Sequence, residues 1–266
     1  MVLNKKGAPD KNDMKLNEMI CGDNITVLSS FPAESIDLTV TSPPYDNLRE
    51  YKGYTFNFEG IAKELYRVVK DGGVIVWVVN DATINGSETG TSFKQALYFK
   101  EIGFNLHDTM IYETSKPPMN DRRYQSCFEY MFIFSKGSPK VFNPIKVKSI
   151  TGGKKVSGTY YNKDGTMKNR SGANRPVDEY RIKDSIWRIV ERQANGHPAT
   201  FPNQLARDHI SSWSNEGDIV LDPMCGSGTT CVAAKELKRN FIGIEIAPEY
   251  VNLARERIKN MPQKLI

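Results

Sequence analysis

Residues 218–245 read DIVLDPMCGSGTTCVAAKELKRNFIGIE, and this stretch decides the fold of the chain. A short β-rich run, Asp218–Asp222, leads directly into a glycine loop that ends at Gly228. A helical pattern over Thr229–Lys238 and a second strand pattern, Phe241–Glu245, follow the loop. The order strand, glycine loop, helix, strand is typical of a βαβ unit in a parallel sheet.

The loop and its two flanking acids indicate the kind of ligand. Gly226 and Gly228 have no Cβ, so a ligand can approach the backbone closely, although a tight structural turn would use the same residues. Glu245 ends the second strand 23 residues after Asp222, where a carboxylate can accept hydrogen bonds from ribose hydroxyls. Because no lysine follows the loop, a phosphate-binding loop is disfavoured. An adenosyl ligand without phosphates fits better, and Asp222 could accept from the ammonium of an amino-acid moiety.

A second βαβ pattern lies near the amino end. The strand pattern Ser35–Thr41 stops at Ser42-Pro43-Pro44-Tyr45, because two prolines continue neither a strand nor a helix. A helix is predicted over Phe58–Val69, ended by Asp71-Gly72-Gly73, and a strand over Val74–Val79. The tetrapeptide at residues 42–45 is therefore expected at the carboxyl end of a strand, where side chains can do chemistry.

The remaining periodic segments complete an α/β pattern. Strands are predicted at Leu106–Tyr112 and Tyr130–Phe134, and helices at Ser92–Ile102, Phe201–Trp213 and Pro248–Ile258. The strand runs are apolar on both faces, which favours a parallel sheet covered by helices.

Composition excludes several classes of protein. The chain has 266 residues, 39% of them hydrophobic and 25% charged, which is typical of a globular protein. It has no apolar run near the ~20 residues that a membrane helix needs. Its four cysteines form no CxxC pair, so neither a disulfide framework nor a metal site is predicted. About twelve polar residues at the amino end are expected to be flexible and show no secretory signal, which predicts a cytoplasmic protein.

Positive charge is concentrated in one block. Residues 140–183 contain eleven Lys or Arg and three Asp or Glu, a net charge of +8, while the rest of the chain carries −3. This block is also rich in glycine and poor in aliphatic residues, so it is expected to be a loop-rich insertion. It is either a solvated lobe or a surface that binds a polyanion.

Together, the two motifs resemble those of a known enzyme family. The combination of DPMCGSGTT at residues 222–230 with SPPY at residues 42–45 resembles the DNA amino methyltransferases, which use S-adenosyl-L-methionine to methylate N4 of cytosine or N6 of adenine. The order of tetrapeptide, basic insertion and glycine motif resembles the family's beta class. The resemblance implies a Rossmann-like α/β methyltransferase sheet, with a catalytic half at 1–139, a target-recognition insertion at 140–183 and a cofactor-binding half at 184–266.

The resemblance also assigns a cofactor pocket. The segment His197-Pro198-Ala199 with Phe201-Pro202 matches an element that walls the pocket in the family, and Gly22-Asp23 matches one that faces the adenine. Met224 replaces a frequent phenylalanine, which changes the shape of the pocket but not the cofactor. The expected cofactor-binding residues are Asp23, Thr41, His197, Pro198, Phe201, Asp222, Pro223, Gly226, Ser227, Gly228, Thr229 and Glu245.

The tetrapeptide is expected to be catalytic. An exocyclic amine is a poor nucleophile because its lone pair is delocalised into the base. The Ser42 side chain and the Pro43 carbonyl are candidates to accept its two N–H groups, Pro44 adds rigidity, and Tyr45 offers a face for an extruded base. The methyl group would then pass directly to nitrogen, so no cysteine is predicted as a nucleophile. SPPY alone could be just a turn, but the presence of the glycine motif argues against that interpretation.

The predicted partner is double-stranded DNA. Candidate DNA-binding residues are Arg122, Arg123, Lys154, Lys155 and Lys163, the last on a hairpin predicted at Tyr160–Gly165. In the family that these motifs resemble, serine at the first tetrapeptide position favours cytosine N4 and aspartate favours adenine N6, so the resemblance implies cytosine N4 as the target of Ser42. Rival functions are methylation of RNA or of protein glutamine, and a DNA-binding module without activity. A cognate restriction endonuclease and a second copy of the chain are possible further partners. The expected location is the cytoplasm of a bacterial or phage-infected cell.

Overall fold

A computed structural model of the chain describes residues 14–44, 56–114, 123–124, 126–155, 158–169, 175–189 and 202–261. The chain forms two compact units, one from Met1–Asn143 with Ser185–Ile266 and one from Pro144–Asp184. The second unit spans most of the stretch predicted as the target-recognition insertion. The flexible tail predicted for the first twelve residues lies outside the described part.

The secondary structure alternates strands and helices over most of the chain. The strands are β1 (Glu18–Cys21), β2 (Ile36–Thr41), β3 (Val69–Val79), β4 (Thr83–Ile84), β5 (Ser87–Glu88), β6 (Asn105–Glu113), β7 (Phe128–Ser135), β8 (Lys146–Lys148), β9 (Thr159–Tyr161), β10 (Met167–Asn169), β11 (Tyr180–Ile182), β12 (Ile186–Arg188), β13 (Ile219–Asp222) and β14 (Asn240–Glu245). The helices are α1 (Asn24–Ser29), α2 (Phe58–Val68), α3 (Thr91–Glu101), α4 (Asn203–Trp213), α5 (Thr229–Glu236) and α6 (Pro248–Lys259).

The first unit is built on an eight-stranded sheet with the order β1-β14-β13-β2-β3-β7-β6-β12. From β2 the chain crosses to β3 on one side, and from β13 it crosses to β14 on the other side. Connections that diverge in this way leave a crevice at the carboxyl ends of the two central strands, and ligands of open α/β sheets bind there. The topology therefore places the candidate site between the ends of β2 and β13.

Strand β7 runs antiparallel to both of its neighbours, β3 and β6, whereas the other pairs of this sheet are parallel. The prediction of a wholly parallel sheet is therefore wrong at this strand. Buried apolar runs such as Met131–Phe134 have the same pattern in either direction. The prediction that β6 is apolar on both faces is also wrong, because Asn105 and residues 107–109 are exposed.

The turn predicted at Asp71-Gly72-Gly73 lies inside β3. Helix α2 already ends at Val68, and β3 begins at the next residue. Ile36 pairs with Val69, but Leu38 pairs with Val74, so three extra residues of β3 bulge out of the ladder. Gly72 adopts φ +78°, which explains why glycine is favoured there, and its N–H donates to the Lys136 carbonyl at 2.6 Å.

Helix α2 shows how the core is built. Its N-cap, Asn57, accepts a hydrogen bond from the Gly60 N–H at 3.0 Å. One face of the helix buries Ile61, Leu65 and Val68 against the sheet. On the same side of the sheet, the buried Trp77 donates its indole N–H to Gln95 of α3 at 2.8 Å. This packing supports β2 and β3. The tetrapeptide follows directly after β2, so the core packing supports the strand that positions it.

The described residues of the second unit form two short ribbons. Strand β8 pairs antiparallel with β11, and β9 pairs antiparallel with β10. The predicted hairpin is present: the Asn162 N–H donates to the Thr166 carbonyl at 2.8 Å, and Gly165 has φ +80°. No helix in the described part of the chain is long and apolar enough to cross a membrane.

Candidate active site

Four parallel strands, β1, β14, β13 and β2, end at the edge of the sheet that carries the candidate site. The Gly22 N–H donates to the Glu245 carbonyl at 3.0 Å, and the Cys225 N–H donates to the Ile244 carbonyl at 2.9 Å. The Asn24 side-chain amide donates to the Pro223 carbonyl at 3.4 Å. These bonds join the ends of β1, β13 and β14, and they bring Asp23, Asp222 and Glu245 to one edge although they come from distant parts of the sequence.

Asp222 lies at the centre of this edge and is 2% exposed. Its Oδ1 accepts hydrogen bonds from the Thr41 hydroxyl at 2.7 Å and from the Met224 N–H at 3.2 Å. Burial raises the pKa of Asp222 to about 6, although these bonds and one from the Thr230 side chain favour the carboxylate, and the charge of Glu245 raises it further. A buried carboxylate of this kind is suited to a cationic ligand, which would replace the lost hydration.

Glu245 shapes the glycine loop. Its Oε2 accepts from the Gly226 N–H at 2.9 Å, and its Oε1 accepts from the Ala247 N–H at 3.0 Å. The side chain is half-buried, and each oxygen has a further lone pair. Glu245 is therefore fixed at the end of β14 by two backbone bonds and can still accept from a ligand hydroxyl.

The glycines of the loop have two different roles. Gly226 and Gly228 adopt φ +49° and +80°, a region that side chains disfavour. A Cβ on Gly228 would also lie 2.8 Å from the Cβ of Ala254, so this glycine lets α6 pack closely against the loop. Close helix packing, in addition to ligand approach, therefore requires glycine at position 228.

Arg257 of α6 contacts the glycine loop, and no sequence motif predicts it. Its guanidinium donates to the Ser227 carbonyl at 2.6 Å and to the Ser227 hydroxyl at 2.9 Å, and Thr229 Oγ1 lies 3.5 Å away. Burial lowers the pKa of Arg257, whose side chain supports the loop from the side of α6. Ser227 and Thr229, both expected to bind the cofactor, are thus engaged with Arg257. No local pattern marks a residue 30 positions away as their partner.

Asp23 caps helix α1. Its Oδ1 accepts from the Thr26 N–H at 2.9 Å and from the Thr26 hydroxyl at 2.7 Å, while the side chain is exposed at the site edge. The cap orients the carboxylate next to the Gly22–Glu245 junction. This capping role was not predicted from the sequence.

The tetrapeptide begins where β2 ends. Thr41 and Pro43 are buried, and Ser42 and Pro44 are half-buried. Because Thr41 is bonded to Asp222, Ser42 is held next to the strand that carries the glycine loop. Of the other expected site residues, Tyr45, Arg122, His197, Pro198 and Phe201 lie outside the described residues.

The described DNA-binding candidates have two kinds of environment. Arg123 donates to the Gly86 carbonyl and lies 3.9 Å from a Glu88 carboxylate oxygen, so it is engaged with the β4–β5 turn. Lys154, Lys155 and Lys163 are exposed in the second unit. Within the described part of the chain, no three His, Cys, Asp or Glu side chains are grouped to hold a metal ion.

The Thr41–Asp222 bond can be tested with two matched variants of β2. Thr41→Val should destabilise the fold by about 1.5–3 kcal/mol, because a buried carboxylate loses a hydrogen-bond donor. Thr39 is also fully buried, but its hydroxyl has no hydrogen-bond partner among the described residues, so Thr39→Val should be neutral or stabilising. Urea unfolding measures both, and equal changes in the two variants would contradict the role of the bond.

Comparisons with known proteins identify the family of the chain. Residues 36–256 match the family model N6_N4_Mtase, described as DNA methylase. The orphan methyltransferase M.BamHII of Bacillus amyloliquefaciens is 56% identical over 238 residues, which cover 85% of this chain and 89% of that protein.

Two solved structures share the fold. TTHA0409 from Thermus thermophilus, in complex with S-adenosyl-L-methionine, superposes with a TM-score of 0.63 at 25% identity and covers 91% of this chain and 92% of its own. The cytosine-N4-specific PvuII DNA methyltransferase gives a TM-score of 0.66 at 24% identity, with 93% and 87% covered.

The carboxylates at the ends of β1, β13 and β14 suit this cofactor, because its ammonium and sulfonium are cationic and its ribose offers hydroxyl donors. The matched family model covers both motifs and the strands that carry them. The chain therefore belongs to the N6_N4_Mtase family of DNA methylases and transfers a methyl group from S-adenosyl-L-methionine to an exocyclic amine of a DNA base.

Proposed function

We propose that this methyltransferase modifies N4 of cytosine in duplex DNA, with Ser42 and Pro43 as the groups that activate the amine. The observation that carries the proposal is the Thr41–Asp222 hydrogen bond of 2.7 Å, which fixes the start of the tetrapeptide beside the glycine loop. Ser42 at the first position of the tetrapeptide favours cytosine. Among the relatives, YhdJ of Escherichia coli, at 28% identity, is a DNA adenine methyltransferase, so N6 of adenine is the alternative.

The cofactor supplies an electrophilic methyl group. The Ser42 hydroxyl and the Pro43 carbonyl accept the two N–H groups of the target amine, which directs its lone pair towards the methyl donor. Asp222 binds the ammonium of the cofactor, Glu245 accepts from the ribose, and Asp23 faces the adenine. Tyr45 stacks on the base after it leaves the duplex, and His197, Pro198 and Phe201 wall the pocket.

The chemistry needs no covalent enzyme intermediate. Cys225 is buried, and burial raises the pKa of its thiol well above the usual value, which disfavours the thiolate that a covalent pathway requires. Identification of the methylated nucleoside after digestion of modified DNA tests the proposal. N4-methylcytosine is expected, N6-methyladenine would select the alternative base, and 5-methylcytosine would overturn the roles given to Ser42 and Pro43.

The substrate class is tested by a transfer assay that compares duplex DNA, RNA and protein. Arg122, Arg123, Lys154, Lys155 and Lys163 are proposed to contact DNA, and the net charge of +8 in residues 140–183 supports this role. The relative at 56% identity is named an orphan methyltransferase, which favours action without a dedicated endonuclease. The proposed location is the cytoplasm of a bacterial or phage-infected cell. Sedimentation of the protein with and without DNA tests for a homodimer.

Glu245 is expected to be a main anchor of the cofactor. Glu245→Ala should weaken binding of S-adenosyl-L-methionine by about ten- to a hundredfold, because a charged acceptor is worth roughly 1.5–3 kcal/mol. Glu256→Ala removes an exposed carboxylate of α6 and serves as the control. Calorimetry measures both affinities. A native affinity for Glu245→Ala would show that Glu245 does not bind the ribose. Circular dichroism of Glu245→Ala shows whether the protein still folds without the hydrogen bond from the Gly226 N–H to Glu245.

A further inference from the structure

The second unit, Pro144–Asp184, has an unusual surface. None of its described residues is buried, and large apolar side chains such as Ile150, Tyr161 and Met167 are exposed. Its strands are held by backbone ladders of three residue pairs each. A surface that exposes several large apolar side chains is suited to contact a partner.

The ribbon of β8 and β11 has two different faces. Tyr180 pairs with Lys148 and Ile182 pairs with Lys146, and directly opposite residues of an antiparallel pair share one face. All four side chains are exposed. Neither lysine forms an ion pair with another residue that the structure describes. This set, Lys146, Lys148, Tyr180 and Ile182, is called the ribbon face below.

On the opposite face of the ribbon, the one positive charge is paired with a carboxylate. It carries the pair Val147–Arg181, in which Val147 is half-buried. The Arg181 guanidinium donates to both carboxylate oxygens of Asp184, at 2.5 and 2.7 Å. The uncompensated positive charge of the ribbon is therefore confined to the ribbon face, beside two apolar side chains.

We infer that the ribbon face lies in the major groove of the substrate DNA; this inference rests on the proposed action on duplex DNA. A two-stranded ribbon fits the major groove, where lysine can contact phosphate or guanine and apolar side chains can contact the thymine methyl group. Lys146 and Lys148 are about 7 Å apart along the strand, so each can reach a different phosphate or base. Tyr180 and Ile182 provide contacts that depend on sequence.

The lysines are tested by the salt dependence of DNA binding. Each lost phosphate contact reduces the slope of log affinity against log salt by about 0.9, so Lys146→Gln with Lys148→Gln should reduce it by up to about 1.8. The control, Lys100→Gln with Lys259→Gln, removes two exposed charges near the ends of α3 and α6, at the edge of the sheet opposite to Ser42, and should keep the native slope. A native slope in the ribbon variant would overturn the inference.

The apolar residues are tested by sequence discrimination. Tyr180→Ala with Ile182→Ala should reduce the ratio of affinities for the modified sequence and for a scrambled duplex by about 5- to 100-fold. An equal loss for both duplexes, or no loss, would contradict base contacts by this face. Both variants should bind S-adenosyl-L-methionine with native affinity, whereas failure of the native enzyme to methylate DNA would instead contradict the proposed function.

Discussion

Ser42→Ala is expected to lower kcat by about a hundredfold to a thousandfold, the usual effect of removing one hydrogen-bond group that acts in the transition state. Ser42 does not lie among the carboxylates proposed to anchor the cofactor, so the affinity for S-adenosyl-L-methionine should stay within about twofold of native. Single-turnover methylation of a DNA duplex measures the rate, and calorimetry measures the affinity.

A second variant separates chemistry from folding. Ser42→Asn keeps a side-chain acceptor at the first position of the tetrapeptide, so it should retain more activity than Ser42→Ala. Because Thr41 and Pro43 flank the position and are buried, neither variant is expected to change the backbone at the end of β2. A native kcat for Ser42→Ala would remove Ser42 from the reaction and leave the Pro43 carbonyl as the acceptor.

The sequence predicted the elements that local pattern determines. The strand, loop, helix and strand of residues 218–245 were predictable because hydrophobic periodicity and glycine act over a few residues. The hairpin at Asn162–Thr166 was predictable for the same reason, since its Asp-Gly pair favours a tight turn. The family motifs then indicated the cofactor and the substrate class, which the comparisons support.

The sequence did not predict what depends on distant parts of the chain. The direction of β7 is set by its neighbours in the sheet, and an apolar run does not encode it. The bond between Thr41 and Asp222 joins residues 181 positions apart, and the pairing of β8 with β11 joins strands about 30 residues apart. Such contacts appear only when the tertiary structure is known.

Asp222→Asn is expected to have opposite effects on stability and on function. Asparagine keeps an oxygen that can accept from the Thr41 hydroxyl and from the Met224 N–H. The variant therefore loses a buried charge and few hydrogen bonds. Binding of S-adenosyl-L-methionine should weaken by at least about a hundredfold, because the ammonium loses its partner in a buried site.

Without cofactor, Asp222→Asn should be more stable than the native protein above about pH 6. The Asp222 pKa rises from 3.8 to about 6 on folding, so the stability that its protonated form contributes is complete below about pH 4 and is lost as the pH rises through 6. At pH 7 the ionised side chain costs about 3 kcal/mol, and asparagine removes this cost. Urea unfolding of both proteins at pH 4 and pH 7 measures the difference, which should be present only at pH 7.

The raised pKa of Asp222 also predicts how the affinity for the cofactor depends on pH. Only the carboxylate form of Asp222 attracts an ammonium, so the native affinity should fall by about tenfold per unit as the pH drops below 6. Asp222→Asn cannot ionise, and its weak affinity should not change over this range. A native enzyme whose affinity is constant between pH 5 and pH 7 would show that Asp222 stabilises the Thr41 junction but does not bind the cofactor, and the two roles would then belong to different residues.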